Sequence, residues 1–243
     1  MLENKIIIVT GGNGLLGKEM INNIRKKGGI AINADISVKT DLNNYEIQLD
    51  VSSEKSIKET FKLVAETFGK IDGLVNNAYP RTKDWGNKFE DIKLESWSEN
   101  VNLQMNAVFC CIQNIIPYLI KTKGNIVNIG SIYGVVGNDF TVYEGTSLTS
   151  PAAYSAIKGG LINFTRYLAS YYGKDGIRVN IVSPGGIFDH QNPTFVKQYN
   201  HKVPMKRMGT PQDIAPSVSF LLSGDAGYIT GQNIIVDGGW TCI

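Results

Sequence analysis

Histidine is nearly missing from this 243-residue sequence: His190 and His201 stand alone, with no carboxylates or cysteines at ligand spacing around them. That argues against a protein-ligated catalytic metal. Cysteine is scarce too, and Cys110, Cys111 and Cys242 form neither a CxxC pair nor a metal pattern. Adjacent Cys110 and Cys111 fall in an apolar stretch, so they read as buried reduced thiols, consistent with a cytoplasmic protein. An excess of one charge is also lacking: 24 Lys and Arg face 22 Asp and Glu, for a net charge of +2. With no long basic face, a nucleic-acid or membrane-surface partner has little electrostatic footing. Long hydrophobic runs are missing as well. Met1 to Lys5 lead straight into Ile6-Ile7-Ile8-Val9, so no signal peptide is expected. The longest apolar stretch, residues 107–120, is interrupted by Gln113, Asn114 and Pro117 and reads as a buried helix rather than a membrane span. No repeat, linker or composition break divides the chain, so residues 1–243 are expected to form one domain.

What is present is alternation. Short β-branched runs at 5–10, 31–35, 46–49, 73–76, 125–129, 178–183 and 233–236 are separated by helical patterns at 15–27, 54–68, 96–121, 152–172 and 211–223. That order predicts βαβ units: an α/β fold with a doubly wound parallel sheet of about seven strands, a Rossmann fold. Ligands of such sheets bind at the carboxyl ends of the strands.

The first run ends in Thr10-Gly11-Gly12-Asn13-Gly14-Leu15-Leu16-Gly17, and a helix follows. Glycines there permit a tight turn and let the backbone approach a pyrophosphate, while the helix N-terminus offers free N–H groups to its charge. Asp35 ends the second run, where an acid accepts hydrogen bonds from an adenosine ribose and repels a 2′-phosphate. No Arg or Lys interrupts the glycine turn, so the expected cofactor is NAD rather than NADP. Asp50-Val51 and Asn76-Asn77-Ala78 follow the third and fourth runs, where adenine and the cofactor backbone would pass. Taken singly, Asp50 is as well read as a helix cap and the asparagines as turn formers.

Tyr154 and Lys158 stand four residues apart at the start of a helix, hence on one face. A cation near a phenol lowers a pKa that starts near ~10, which suits tyrosine to proton transfer near neutral pH. Ser131 follows the fifth run, and Asn102 lies in Val101-Asn102-Leu103 of the long helix.

Together these residues make the chain resemble the short-chain dehydrogenase/reductases over essentially its full length, the closing Gly231-Gln232 and Asp237-Gly238-Gly239 included. The resemblance implies catalytic roles for Tyr154 as general acid/base, Lys158 as the residue that holds the nicotinamide ribose and lowers the Tyr154 pKa, Ser131 as the orienter of the reacting oxygen, and Asn102 as support for a proton relay. It further implies a cofactor cradle of Gly11, Asn13, Gly14, Leu16, Gly17, Asp35, Asp50, Val51, Asn77, Ala78, Pro184, Gly185 and Ile187, with Tyr154 and Lys158 at the nicotinamide end. A homo-oligomer, tetramer or dimer, built on the long helices is implied too.

The chain departs from the family pattern in places. Gly14 and Leu15 give the TGxxGxxG form of the longer branch that acts on sugar nucleotides, Tyr79 replaces a usual glycine, and Asp189 replaces a usual threonine. Residues 137–151 look like an insertion before Tyr154, and within it Thr141 rivals Ser131 for the hydroxyl role. Among family members the chain is most similar to oxidoreductases of bacterial surface-glycan and flagellin-modification pathways, including nonulosonic acid synthesis. The polar loops 79–91 and 137–151, with His190 and Lys197 beyond them, suggest a carbohydrate-like alcohol or its keto form as the small-molecule substrate. Alternatives are an NADPH-dependent 3-oxoacyl reductase and a non-catalytic NAD-sensing module.

Overall fold

Alternate residues of an extended strand face opposite sides of a sheet, so a strand covered on both faces must be apolar throughout. The run Ile6–Thr10 (β1) meets that demand, with every residue buried. Ile6 and Ile8 join one core cluster and Ile7 and Val9 the other. The computed structural model describes residues 1–243, and β1 forms the middle of a sheet ordered β3-β2-β1-β4-β5-β6-β7. The other strands are Ile30–Asp35 (β2), Glu46–Gln48 (β3), Gly73–Asn76 (β4), Asn125–Ile129 (β5), Arg178–Pro184 (β6) and Asn233–Val236 (β7). All six pairings are parallel. The doubly wound α/β sheet of about seven strands is therefore the observed fold.

Helices Leu15–Lys26 (α1) and Pro211–Leu222 (α7) cover one face through Met20, Ile24, Val218 and Leu221. The other face is covered by Glu54–Phe68 (α2), Ala107–Thr122 (α4) and Ala152–Tyr172 (α5), which bring in Phe61, Ile115, Leu119 and Leu168. Strand order reverses at β1 and β4, where crossovers leave to opposite faces. The loops after these two strands part there and open a crevice.

Two features depart from the sequence expectation. The single helix expected at 96–121 is a continuous helical run, Leu94–Thr122, made of Leu94–Val101 (α3), a π-helical turn Asn102–Asn106 and α4. At 29 residues it is long and apolar enough to cross a membrane by composition, yet its inward residues are core. The helix Pro193–Lys202 (α6) was not anticipated. Its polar residues Lys197, Gln198, Asn200 and His201 read as loop, and only Phe195 and Tyr199, one turn apart, carry the helical signal. They are buried by the insertion and by Trp240 in a third core cluster.

Candidate active site

At the crevice mouth the glycine turn is held by backbone geometry. Gly11 has φ +64°, a left-handed conformation that strains any side chain, and its N–H donates to Ala34 O at 2.8 Å. Gly17 closes the turn from behind: a Cβ there would lie 2.3 Å from Gly11 O and 2.8 Å from Gly12 Cα. Asn77 ties this turn to the end of β4, its Nδ2 donating to Thr10 O at 3.0 Å and Gly11 O at 2.9 Å. The Thr10 hydroxyl accepts from Ala78 N at 3.1 Å.

Asp35 sits at the end of β2, with one carboxylate oxygen accepting from Asn13 N at 3.0 Å and the other from Ser37 N and Oγ at 2.9 and 2.7 Å. The glycine turn thus orients this carboxylate, which lines the crevice. Asp50 is not the cap of α2, a place taken by Ser53, whose side chain accepts from Ser56 N. Asp50 accepts from Ser52 N and Oγ at 2.9 and 2.6 Å, and it also lines the crevice beside Val51.

The crevice widens into a cavity of about 820 Å³. Gly11, Gly14, Leu16, Asn77 and Ala78 line its first part, while Pro184, Gly185 and Ile187 line the wall after β6. Asn13 and Gly17, expected in the cradle, do not line it. Asn13 turns its side chain to Ser37 and Asn33 at 2.8 and 3.0 Å, and Gly17 is consumed by packing the turn. A long anionic ligand with a diol at one end fits this arrangement: glycine backbone faces its middle and a preset carboxylate its diol.

At the far end, α5 and the residue after β5 bring three groups together. Ser131 is buried, its Oγ accepting from Tyr133 N at 3.1 Å. The Tyr154 phenol lies next to it, and hydrogen bonding to Ser131 draws the phenol pKa down, although burial raises it more. Lys158, one turn on, is buried and donates to Ile129 O at 2.7 Å. Burial lowers its pKa from 10.5 to about 8. From sequence, Lys158 one turn away is expected to depress the Tyr154 pKa. In the structure desolvation outweighs any such influence, and Ser131 is the group that opposes it.

Asn102 needs correction. It is exposed on the outer side of the π-helical turn, accepting from Asn106 Nδ2 at 3.1 Å, and lies outside the cavity. The inward residue of that turn is Gln104, buried behind Thr10, Asn76 and Ala78, with neither amide atom bonded to protein. The π turn leaves Asn102, singled out by the Val101-Asn102-Leu103 resemblance, on the outer side and turns Gln104 inward, behind the cavity wall rather than in it. A buried unbonded amide is the signal that marks Gln104, and it exists only in three dimensions.

Thr141, the rival hydroxyl, also lies outside. It is exposed and bonds Asp139 through both N and Oγ, at 2.9 and 2.6 Å. The insertion that carries it is folded onto α6 rather than loose. Asp139 pairs with Lys202, Gln198 Nε2 donates to Glu144 O at 3.0 Å, and Tyr143 packs on Phe195 at 5.2 Å between ring centroids. Tyr143, Leu148 and Thr149 reach the cavity from it. His190 and Lys197 do not; Asp189, Gln191 and Phe195 take that part of the wall. From the loop after β4, Tyr79 and Arg81 line the cavity, and Trp85 meets the Tyr79 and Tyr154 rings edge-on at 5.7 and 6.2 Å. The polar loop 79–91, expected at the substrate, thus also packs Tyr79 and Trp85 against the phenol, a contact between segments that no local pattern marks.

Known proteins resemble this chain along its length. A family model described as "Enoyl-(Acyl carrier protein) reductase" matches residues 31–241. The post-translational flagellin modification protein A of Campylobacter coli is 37% identical, with 99% of each chain covered. The 7alpha-hydroxysteroid dehydrogenase of Bacteroides fragilis is 33% identical over 98% of this chain and 95% of its own. A 3-oxoacyl-(acyl-carrier-protein) reductase of Buchnera aphidicola is 33% identical over 97% of this chain and 96% of its own. Among solved structures, a short chain dehydrogenase from Leptospira borgpetersenii with bound NAD+ superposes with a TM-score of 0.89 at 36% identity, covering 99% of this chain and 94% of that one. With its parallel sheet, glycine turn and Ser131–Tyr154–Lys158 cluster, the chain belongs to the short-chain dehydrogenase/reductase family of oxidoreductases.

Proposed function

We propose that this chain is an NAD-dependent dehydrogenase/reductase that interconverts a secondary alcohol and its ketone on a polar, carbohydrate-like substrate. The convergence of Ser131, Tyr154 and Lys158 at the end of a cavity whose other end holds Asp35 carries this reading. The nicotinamide, when bound, supplies or accepts the hydride. The protein handles the proton. Tyr154 Oη gives it to the carbonyl oxygen during reduction and takes it from the hydroxyl during oxidation. Ser131 Oγ orients that oxygen, and the Lys158 ammonium stabilises negative charge on the phenol and holds the nicotinamide ribose. With its pKa lowered by burial to about 8, Lys158 is mostly charged at pH 7 and loses its proton as the pH rises through that value.

Asp35 supports NAD over NADP, because its carboxylate is fixed before ligand arrives and would face a 2′-phosphate with like charge. The flagellin-modifying relative supports a sugar-derived substrate in surface-glycan synthesis, as do the phenols of Tyr79, Tyr133 and Tyr143 along the cavity. Exposed rings of Phe109, Tyr167 and Tyr171, in a stacked series with Phe164 on α4 and α5, support a homo-oligomer through these helices. Three free thiols fit a reducing cytoplasm.

One set of observations favours a second reading, 3-oxoacyl reduction with NADPH: Ile132, Leu148, Phe195 and Met208 line the cavity, and an acyl-carrier relative matches. Fluorescence titration with NADH and NADPH, followed by rates on sugar derivatives, hydroxysteroids and acyl thioesters, separates the two. NADH binding at least about tenfold tighter, worth about 1.4 kcal/mol, together with turnover of sugar derivatives is expected. A preference for NADPH together with turnover confined to thioesters refutes the first reading.

A further inference from the structure

Guanidinium groups in folded proteins are normally committed to an acceptor or left in water. Of the five arginines here, three are committed to the protein. Arg25 donates to Ala31 O at 3.0 Å, Arg178 to Ser223 O at 3.0 Å, and Arg207 grips Asp213 at 2.7 and 2.8 Å. Arg166 is exposed on the outer side of α5. Arg81 is exposed like Arg166, but it alone of the five lines the cavity, and it takes part in no ion pair.

Its place is defined by aromatic contacts. The Arg81 guanidinium carbon lies 5.5 Å from the centroid of the Tyr79 ring. Tyr79 meets Tyr154 edge-on at 5.7 Å, and Lys158 Nζ lies 5.6 Å from the centroids of both rings. Tyr79, which takes a hydrogen bond from Arg81, therefore links a guanidinium without a carboxylate partner to the proton-transferring phenol. A cation held on a ring face keeps its in-plane N–H donors free, and their fork matches a carboxylate or phosphate. The cavity's carboxylates lie elsewhere. Asp35 and Asp50 follow β2 and β3, and Asp189 sits on the exposed loop after β6. The two cations, Arg81 and Lys158, share the Tyr154 end, and Lys158 already has an acceptor in Ile129 O.

We infer that the substrate carries an oxyanion, a carboxylate or a phosphate ester, close to its reacting carbinol, and that Arg81 is the residue selecting for it. This rests on the reading of Tyr154 as the reacting end of the cavity. The partner missing from Arg81 arrives with the substrate.

The test uses three polyols: gluconate, glucitol 6-phosphate and the neutral glucitol. Each is titrated calorimetrically into NADH-saturated protein and assayed for NAD-linked oxidation, for wild type, Arg81→Gln and Arg81→Lys. In wild type at least one anion should bind about tenfold or more tightly than glucitol, which corresponds to about 1.4 kcal/mol. Gluconate against glucitol 6-phosphate, each with a single kind of oxyanion, tells which one is preferred. Arg81→Gln should bring that ratio near one, with the kinetic loss in KM rather than kcat, and Arg81→Lys should keep part of it. Because the ratio is taken within each variant, general damage to the fold does not imitate it, and the NADH titration reports that damage separately. Equal binding of anions and glucitol in wild type overturns the inference. So does failure of both anions to bind at about 10 mM, or a ratio that survives Arg81→Gln. If no polyol is oxidised while the binding ratio behaves as stated, the dehydrogenase reading is what suffers and the role of Arg81 stands.

Discussion

Replacing Lys158 by Met should make the protein more stable at neutral pH while abolishing turnover. The ammonium is buried at 8% exposure, has Ile129 O as its acceptor at 2.7 Å, and pairs with no carboxylate. Desolvation brings its pKa from 10.5 in ordinary surroundings to about 8. At 1.36 kcal/mol per pH unit, that gap costs the folded state about 3 kcal/mol whenever the lysine is charged in both states. The sign follows from proton counting. Between the two values the unfolded chain holds a proton that the folded protein has released, so wild-type stability rises with pH there, and above 10.5 the penalty is gone. Methionine has a similar shape and no charge, and it forfeits a hydrogen bond worth about 1–2 kcal/mol. The variant should therefore exceed wild type by about 1–2 kcal/mol at pH 7. That difference should move toward wild type by about 2–3 kcal/mol between pH 7 and pH 10. Urea unfolding of both proteins across this range measures it, and other titrating groups cancel in the difference. Parallel stability curves would refute the reasoning, because they would mean that Lys158 ionises in the fold as it does in water.

Tyr154→Phe should lose turnover while NADH affinity stays within about twofold by fluorescence titration, since only a transferable proton is removed. Gly17→Ala should abolish NADH binding in the same titration, because its Cβ would lie 2.3 Å from Gly11 O and force the turn open. Asn102→Ala, on the solvent side of the π turn, should keep kcat within about twofold in steady-state assays, whereas a larger loss would return Asn102 to the site. Asp139→Asn should loosen the insertion from α6 at a cost of about 1 kcal/mol and speed proteolytic cleavage within residues 137–151, with cleavage at the wild-type rate counting against the clamp.

The sequence alone determined the sheet, its crossover pattern and both ends of the cavity. These depend on local rules: strand runs apolar on both faces, a glycine turn between strand and helix, an acid at the end of β2, and a helical spacing of four that places Tyr154 and Lys158 on one face. Ser131 was legible over Thr141 for the same reason, since residues at strand ends face the crevice. What lay beyond was decided by tertiary contact. A π turn left Asn102 on the outer side and buried Gln104 with its amide unbonded. The Tyr154 pKa answered to burial by neighbours such as Tyr79 and Trp85, which lie far from it in sequence. Helix α6 and the folded insertion each look like polar loop, and only their mutual packing through Tyr143, Phe195 and the Asp139–Lys202 pair gives them structure. Periodicity reports what one segment buries against a sheet. Which loops bury one another, and which arginine is left without a partner, depends on distances between segments that no local pattern encodes.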